Sequence, residues 1–243
     1  IKAIYMIRNK IILLSIGCAS LFASCKKDFL DLKPYDQVAL ESALLTEGDM
    51  LAATNGLYTV MRGAVNYGKD IILRGDMLAD NVYVSATNSN RFTEYFQLNY
   101  IVTTATVADT WNSSYNIILR ANNIINSPIA TNANINQYKG EALTIRALAY
   151  HDLVKQFGKQ YNQGTASTDL GVPLILTYDP ALKPTRNTVK EVYDQVEKDL
   201  LAAIPLLTQR APYSSRFINV NSAKLLLARV YQFKGDWQKA RQY

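Results

Sequence analysis

The sequence predicts a mainly α-helical protein with long irregular loops and little β-strand. Several segments repeat apolar residues every three or four positions, which is typical of helices with one buried face. Two of these segments begin with a Thr followed three residues later by an acidic residue, close to a helix capping box. Glycines and prolines fall between the periodic segments, where helices are expected to end.

The start of the chain resembles an export signal. Met6 is followed by two basic residues and then by an uncharged run from Ile11 to Phe22. A basic region followed by a short apolar core describes a secretory signal. The run is too short for a membrane-spanning helix, which requires about 20 apolar residues.

The end of this signal resembles a bacterial lipobox. Ala23 and Ser24 precede Cys25, and small residues at these positions allow lipidating enzymes to reach a thiol. We predict lipidation at Cys25 rather than at Cys18, which is followed by a further apolar stretch. The expected organisation is upstream residues and signal over 1–24, a lipid-anchored tether over 25–40, and a helical domain over 41–243.

The composition excludes several classes of function. The net charge of +6 includes three basic residues of the signal, and the other basic residues are interspersed with acidic ones. A nucleic-acid surface requires a clustered basic face, so no nucleic-acid partner is predicted. One histidine and two cysteines do not provide a zinc cage, and no Ser-His-Asp triad is predicted. We therefore predict no metal, no cofactor and no enzymatic activity.

The first half of the chain contains two predicted helices and an irregular stretch. A helix begins after Thr46 and ends before Gly63. The segment "DIILRGDMLADNVYV" opens as a short helix and continues as a loop, and its RGD tripeptide is interpreted as a coincidence. The next segment, "NRFTEYFQLNYIVTTATV", has no clean helical face and is expected to contain extended segments.

The second half is more regular. One helix carries a stripe from Trp111 to Ile125, and the strongest helical pattern of the chain follows over "NINQYKGEALTIRALAYHDLVKQFG", with Gly158 expected as its left-handed C-terminal glycine. The proline-rich "GVPLILTYDPALKPTR" is predicted to be extended. Thr188 caps the next helix, and Asn221 or Ser222 is expected to start the last pair.

The last pair fits the tetratricopeptide pattern, in which small and aromatic residues at fixed spacing specify a helical hairpin. The matching residues are Leu227, Ala228, Tyr231, Gly235, Asp236, Trp237 and Ala240.

The order of segments resembles the SusD/RagB family of outer-membrane lipoproteins from Bacteroidota. The pieces that carry the resemblance are "SCKKDFLDLKP", "ATNGLY", "DMLADN", "WNSSYNIILRANNII", "GEALTIRALAYHDLVKQFG", "GVPLIL", "TVKEVYDQVEKDL" and "AKLLLARVYQFKGDWQKARQY". The resemblance implies tetratricopeptide-like helix pairs on a lipid-anchored, surface-exposed outer-membrane protein. It also implies a glycan ligand and a TonB-dependent, SusC-like outer-membrane transporter as partner. Because family members are longer, the chain is expected to be a C-terminally truncated, N-terminal part.

The helical motifs are interpreted as scaffold. Core packing is expected for Trp111, Arg146, Tyr150, Tyr231 and Trp237, with Gly235 in the hairpin turn. The only histidine, His151, is expected to be partly exposed and satisfied.

Ligand binding is predicted in the irregular region, where flat aromatic faces and polar tips suit sugars. The candidates are Asp80, Asn81, Tyr83, Arg91, Phe92, Tyr95 and Phe96. Three interpretations stay open beside this one. The aromatic residues could pin the loop to the helices, Asp76 and Asp80 could be a glycosidase pair, and the helices could form a protein or peptide scaffold unrelated to sugars.

Overall fold

The structure is a computed structural model that describes residues 43–101, 103–208 and 216–243. Residues 44–243 form one compact unit. The predicted signal, the lipidated Cys25 and the tether lie outside the described residues.

The described part of the chain is helical, as predicted. Its α-helices are α1 Glu47–Met61, α2 Asp70–Leu78, α3 Thr93–Phe96, α4 Ala105–Ile125, α5 Ala133–Phe157, α6 Val189–Ala203, α7 Val220–Lys234 and α8 Trp237–Ala240. Short 3₁₀ turns at Tyr161–Gln163 and Ile204–Leu206 follow α5 and α6. Within the described residues no β-strand forms, and the only pairing of that type is an isolated bridge between Leu170 and Thr188.

Side-chain caps determine where several helices begin. Thr46 and Asp49 form a reciprocal capping box at α1, and Thr188 and Glu191 form another at α6, both as predicted. The cap of α7 is Asn219, which accepts from Ser222 N, so this helix begins at Val220, one or two residues before the expected start at Asn221 or Ser222. The expectation missed it because Asn219, Asn221 and Ser222 are all good capping residues.

Helix α5 lies at the centre of the fold. It packs most extensively on α4 and α6 and also contacts α1 and α7. Consequently 17 of its 25 residues are buried, many more than one apolar stripe would bury. Polar side chains of α5 therefore lie in the interior, which the periodicity of apolar residues did not indicate.

The environment of His151 differs from the one predicted from the sequence. Instead of being partly exposed, its side chain is fully buried between Tyr193 of α6 and Phe233 of α7, with edge-to-face ring contacts at 5.6 and 5.1 Å. Neither ring nitrogen has a hydrogen-bond partner among the residues that the structure describes. Burial, with a smaller contribution from nearby Lys155, lowers the pKa of His151 to about 3.

The scaffold residues divide into buried and exposed ones. Arg146, Tyr150 and Tyr231 are buried, and Trp111 is half-buried against Phe157, with ring centroids 4.9 Å apart. Trp237, in contrast, is 69% exposed, so the expectation of core packing is wrong for this residue within the described structure.

Gly235 and Gly158 differ in backbone conformation. Gly235 has φ +77°, the left-handed conformation that a helical hairpin turn requires. Gly158 ends α5 with an extended backbone, not a left-handed one, and a Cβ there would lie 2.8 Å from the Val154 carbonyl oxygen. This position therefore favours glycine because of close packing rather than because of its φ angle.

The segment 171–176 forms neither helix nor strand. Tyr150 Oη donates to the Ile175 carbonyl oxygen at 2.8 Å and accepts from the Ile175 amide at 2.7 Å. Asn122 donates to the same carbonyl at 2.8 Å, and Tyr115 Oη donates to the Pro173 carbonyl oxygen at 2.8 Å. Side chains of α4 and α5 thus satisfy the backbone at Pro173 and Ile175, whereas Gly171 and Val172 bond to the backbone of Asn187.

Candidate functional site

The candidate site is the loop segment 79–104, which connects α2 to α4 and contains α3. Large hydrophobic side chains are exposed throughout it, namely Val82, Tyr83, Phe96, Leu98, Tyr100 and Ile101. Tyr83 is 82% exposed. A cluster of exposed apolar side chains between polar neighbours is typical of a surface that binds a ligand or a partner. Within the stretch where extended segments were expected, the residues after Phe92 form the short helix α3.

The backbone of this segment is strained. Asp80, Asn90, Phe92 and Leu98 have φ angles between +54° and +60°. Asp and Asn adopt this conformation readily, but a Phe or Leu there costs about 1–2 kcal/mol. Such strain persists where surrounding contacts fix the chain, and it concentrates at ligand sites.

Arg74 of α2 anchors the segment to the helices. Its guanidinium lies 5.1 Å from the centroid of the Tyr95 ring. It also donates to Gln156 Oε1 at 2.5 Å and to Thr110 Oγ1. Tyr95 is 1% exposed, and its hydroxyl is 2.8 Å from Thr106 Oγ1 of α4. The segment is therefore tied to α2, α4 and α5 at one buried point.

Two further rings pack on this anchor. The Tyr100 and Phe92 ring centroids lie 5.4 and 6.3 Å from that of Tyr95. Lys69 Nζ lies 5.3 Å from the Phe92 centroid. The interpretation that aromatic residues pin the loop thus describes Tyr95, whose ring is not accessible at the surface, and partly describes the half-buried Phe92.

The other candidates are exposed. Asp80, Asn81, Arg91 and Phe96 all lie at the surface with Tyr83. Asn81 caps the C-terminal end of α2, since its backbone amide nitrogen donates to the Asp76 carbonyl oxygen at 2.9 Å.

A closed turn orients the backbone of Arg91. The Asn88 side chain accepts from Arg91 N at 2.8 Å and donates to Arg91 O at 2.9 Å. The structure therefore brings five exposed candidates onto one anchored loop and places Tyr95 beneath it.

The sequence interpretation missed the anchor. Arg74 was considered only as part of an RGD tripeptide, yet it is buried, as is Asp70 one turn earlier. Two charged residues spaced i, i+4 among apolar neighbours of a short helix were the available signal. Leu98 and Ile101, both exposed, were also missed.

In the ranges that the structure describes, no group of three or more His, Cys, Asp or Glu side chains is placed to hold a metal ion. Among the same residues, no helix combines the length and the apolar character needed to cross a bilayer.

Comparison with known proteins identifies relatives over nearly the whole chain. SusD-like protein P2 of Formosa agariphila is 29% identical over 244 residues, which cover 97% of this chain and 44% of that protein. The crystal structure of a SusD superfamily protein from Bacteroides thetaiotaomicron is 30% identical, with a TM-score of 0.71 over 81% of this chain and 44% of that one. A putative sugar binding protein from Bacteroides vulgatus is 28% identical, with a TM-score of 0.72 over 82% of this chain and 45% of that one.

These comparisons determine the family. The chain spans less than half the length of the relatives it matches. Residues 28–232 match the SusD-like_3 family, described as starch-binding and associating with the outer membrane. With that match and the helical fold in agreement, the chain belongs to the SusD-like family.

Proposed function

We propose that the protein captures oligo- or polysaccharides at the cell surface and delivers them to a TonB-dependent outer-membrane transporter. The observation that carries the proposal is the anchored loop 79–104, which exposes Tyr83, Phe96 and Tyr100 beside amide side chains. Sugar rings present C–H faces that stack on aromatic rings and hydroxyl rims that bond to amides. The family description as starch-binding supports the same ligand class.

Preorganisation gives the loop a physical advantage as a binding surface. A loop that is already ordered loses little conformational entropy when a ligand binds. The buried contact between Arg74 and Tyr95, together with the strained backbone at Phe92 and Leu98, supports such an ordered loop.

Affinity electrophoresis of the protein through gels containing soluble polysaccharides tests glycan capture. Removal of the exposed ring in Tyr83→Ala should weaken binding about fivefold, which corresponds to about 1 kcal/mol for one stacked ring. Tyr178→Ala removes another exposed ring, 54% accessible and outside the loop, and is the matched control. Equal retardation of Tyr83→Ala and the wild type would contradict the proposed site. Absence of retardation on every polysaccharide would favour the alternative, a scaffold for proteins or peptides.

Membrane attachment and the transporter partner need separate tests. We propose that Cys25 carries the lipid, so Cys25→Ala should release the protein from the membrane fraction, and mass spectrometry should find acyl chains on the mature N-terminus. Solubilisation of outer membranes in mild detergent should co-purify a large TonB-dependent transporter with the wild-type protein. An unacylated N-terminus would refute lipidation at Cys25. A protein that purifies without a transporter would refute the proposed partner.

A further inference from the structure

An open cleft lies between the 3₁₀ turn that follows α5 and the hairpin that joins α7 to α8. Its volume is about 280 Å³. It is lined by three carboxamide side chains and two aromatic rings, namely Gln160, Asn162, Gln232, Phe233 and Trp237. None of the candidate residues of the loop segment 79–104 lines it. The cleft is therefore a separate surface feature, formed by elements that the sequence interpretation assigned to the scaffold.

Contacts between the two walls of the cleft hold them in place. The ring centroid of Tyr161, in the 3₁₀ turn, lies 4.9 Å from that of Tyr193 in α6. Lys234 Nζ, at the end of α7, lies 5.4 Å from the same Tyr161 centroid. The hairpin turn approaches the 3₁₀ turn closely, since a Cβ on Gly235 would lie 3.9 Å from Asn162 Cβ. A ligand would thus meet walls that are already ordered, which lowers the entropic cost of binding.

Two aromatic rings are exposed in the cleft. Phe233 and Trp237 are both accessible to solvent. The edge-to-face contact with buried His151 and the Lys155 ammonium group 5.3 Å from its centroid fix the Phe233 ring. Exposure of a large apolar ring to water is unfavourable, and tryptophan is enriched at surfaces where it packs against a partner. The position of Trp237 therefore indicates a ligand with an apolar face.

The polar lining of the cleft consists of carboxamides. Gln160, Asn162 and Gln232 are exposed, and none of their side chains forms a hydrogen bond with another described residue. A carboxamide both donates and accepts, so it can bond to a hydroxyl in either direction. No acidic or basic side chain is among the described residues that line the cleft. The nearby Lys155 ammonium group is paired with Asp152 Oδ1 at 2.7 Å, so the lining favours an uncharged ligand.

We propose that this cleft binds a neutral sugar ring. The C–H face of the ring stacks on the Trp237 indole, and its hydroxyls bond to the carboxamides of Gln160, Asn162 and Gln232. The volume lies near the lower end of the range of about 300–1,000 Å³ that is typical of small-molecule sites, which suits a single ring or the end of a glycan. The cleft shares its ligand class with the proposed function but is a second site on other elements.

Tryptophan fluorescence of the full chain tests the proposal, because the sequence contains only Trp111 and Trp237. The probes are the methyl glycosides of glucose, galactose, mannose and xylose. At least one should shift the emission to shorter wavelength along a saturation curve, since a stacked sugar displaces water from the exposed indole. Trp237→Phe should abolish the shift, because Trp111 is half-buried against Phe157 and does not line the cleft. Added sodium chloride should leave the affinity unchanged, since no charge is recognised.

Variants titrated with the same glycoside test the carboxamides. Gln232→Ala should weaken binding about fivefold, the loss expected for one hydrogen bond. Gln238→Ala removes an exposed glutamine that is adjacent to Trp237 but does not line the cleft, and this matched control should bind as the wild type does. Thermal melting verifies that each variant is folded. Tyr83→Ala should leave the shift unchanged, so failure of the cleft and failure of the loop as glycan sites are distinguishable.

Four results would overturn the proposal. Absence of a shift with every glycoside would mean that the cleft has another occupant, such as a protein segment. A shift that persists in Trp237→Phe would place the sugar elsewhere. Equal affinity of Gln232→Ala and the wild type would remove the carboxamide from the site. An affinity that falls steeply with added salt would show that charge is recognised.

Discussion

Replacement of Arg146 by methionine tests how the three central helices are held together. The Nε and Nη2 atoms of Arg146 in α5 each lie 2.7 Å from one carboxylate oxygen of Asp199 in α6. Its Nη1 donates to Asn122 Oδ1 of α4 at 2.8 Å. The side chains of this ion pair are only 6% and 2% exposed, so water screens the charges little.

The expected loss of stability follows from the contacts that Asp199 would retain in Arg146→Met. Asp199 would keep one hydrogen bond, from Gln195 Nε2 at 2.7 Å, but no positive charge. A buried charge left without its partner destabilises a protein by about 3–5 kcal/mol. Typical domains unfold with about 5–15 kcal/mol, so this change removes a large fraction of the stability. Methionine preserves much of the side-chain volume, so the loss reports mainly the uncompensated charge.

Urea denaturation followed by circular dichroism measures this free energy. The double variant Arg146→Met/Asp199→Leu should recover most of the loss because neither charge remains buried. Lys190→Met breaks an exposed pair with Asp194 on the same helix and should leave the midpoint almost unchanged. A loss below about 1 kcal/mol for Arg146→Met, the level typical of exposed pairs, would refute the reasoning. A double variant as unstable as the single one would do so as well.

Three further changes probe single features of the interior and the turns by urea denaturation. Tyr150→Phe removes the hydroxyl that satisfies both backbone groups of Ile175 and should destabilise the protein by about 1–3 kcal/mol; an unchanged midpoint would show that water replaces it. His151 has a pKa of about 3 when folded and about 6.5 when unfolded, so the unfolded state takes up the proton first and stability falls as the pH drops from about 6.5. His151→Leu should therefore lose less stability than the wild type between about pH 7 and pH 4.5, and an equal loss would contradict the burial of a neutral imidazole. Gly235→Ala should destabilise by about 1–2 kcal/mol because its φ is +77°. The control Gly56→Ala, in the interior of α1 with open space for a Cβ, should stabilise by about 0.5–1 kcal/mol; the same sign for both glycines would refute the assignment.

Local signals in the sequence were sufficient to predict helices such as α1 and α6. The capping boxes at Thr46 and Thr188 and the apolar stripe of α6 report contacts within a few residues, and they predicted α1 and α6 correctly. The surroundings of α5 were not predictable in this way. A helix that packs on neighbours around most of its circumference also buries polar residues such as Glu141 and His151, and no apolar stripe indicates this.

The candidate site shows the same limit. The absence of helical periodicity identified the loop, in which Tyr83 and Phe96 are exposed. The burial of Tyr95 depends on Arg74, which comes from another element 21 positions earlier, and no short-range pattern reveals such a contact. Tyr95 was expected at the surface and is buried. Trp237 was expected in the hairpin core and lies at the surface in the described structure.

The way in which the 171–176 segment is held has a consequence for mutational tolerance. In a sheet, one backbone bonds to another, so most side chains can be exchanged without loss of pairing. Here the main chain near Ile175 depends on one phenol and one carboxamide supplied by helices. A library of random substitutions should therefore be depleted at Tyr150 and Asn122 as strongly as at apolar interior positions, while the exposed stretch 177–184 should accept nearly any residue.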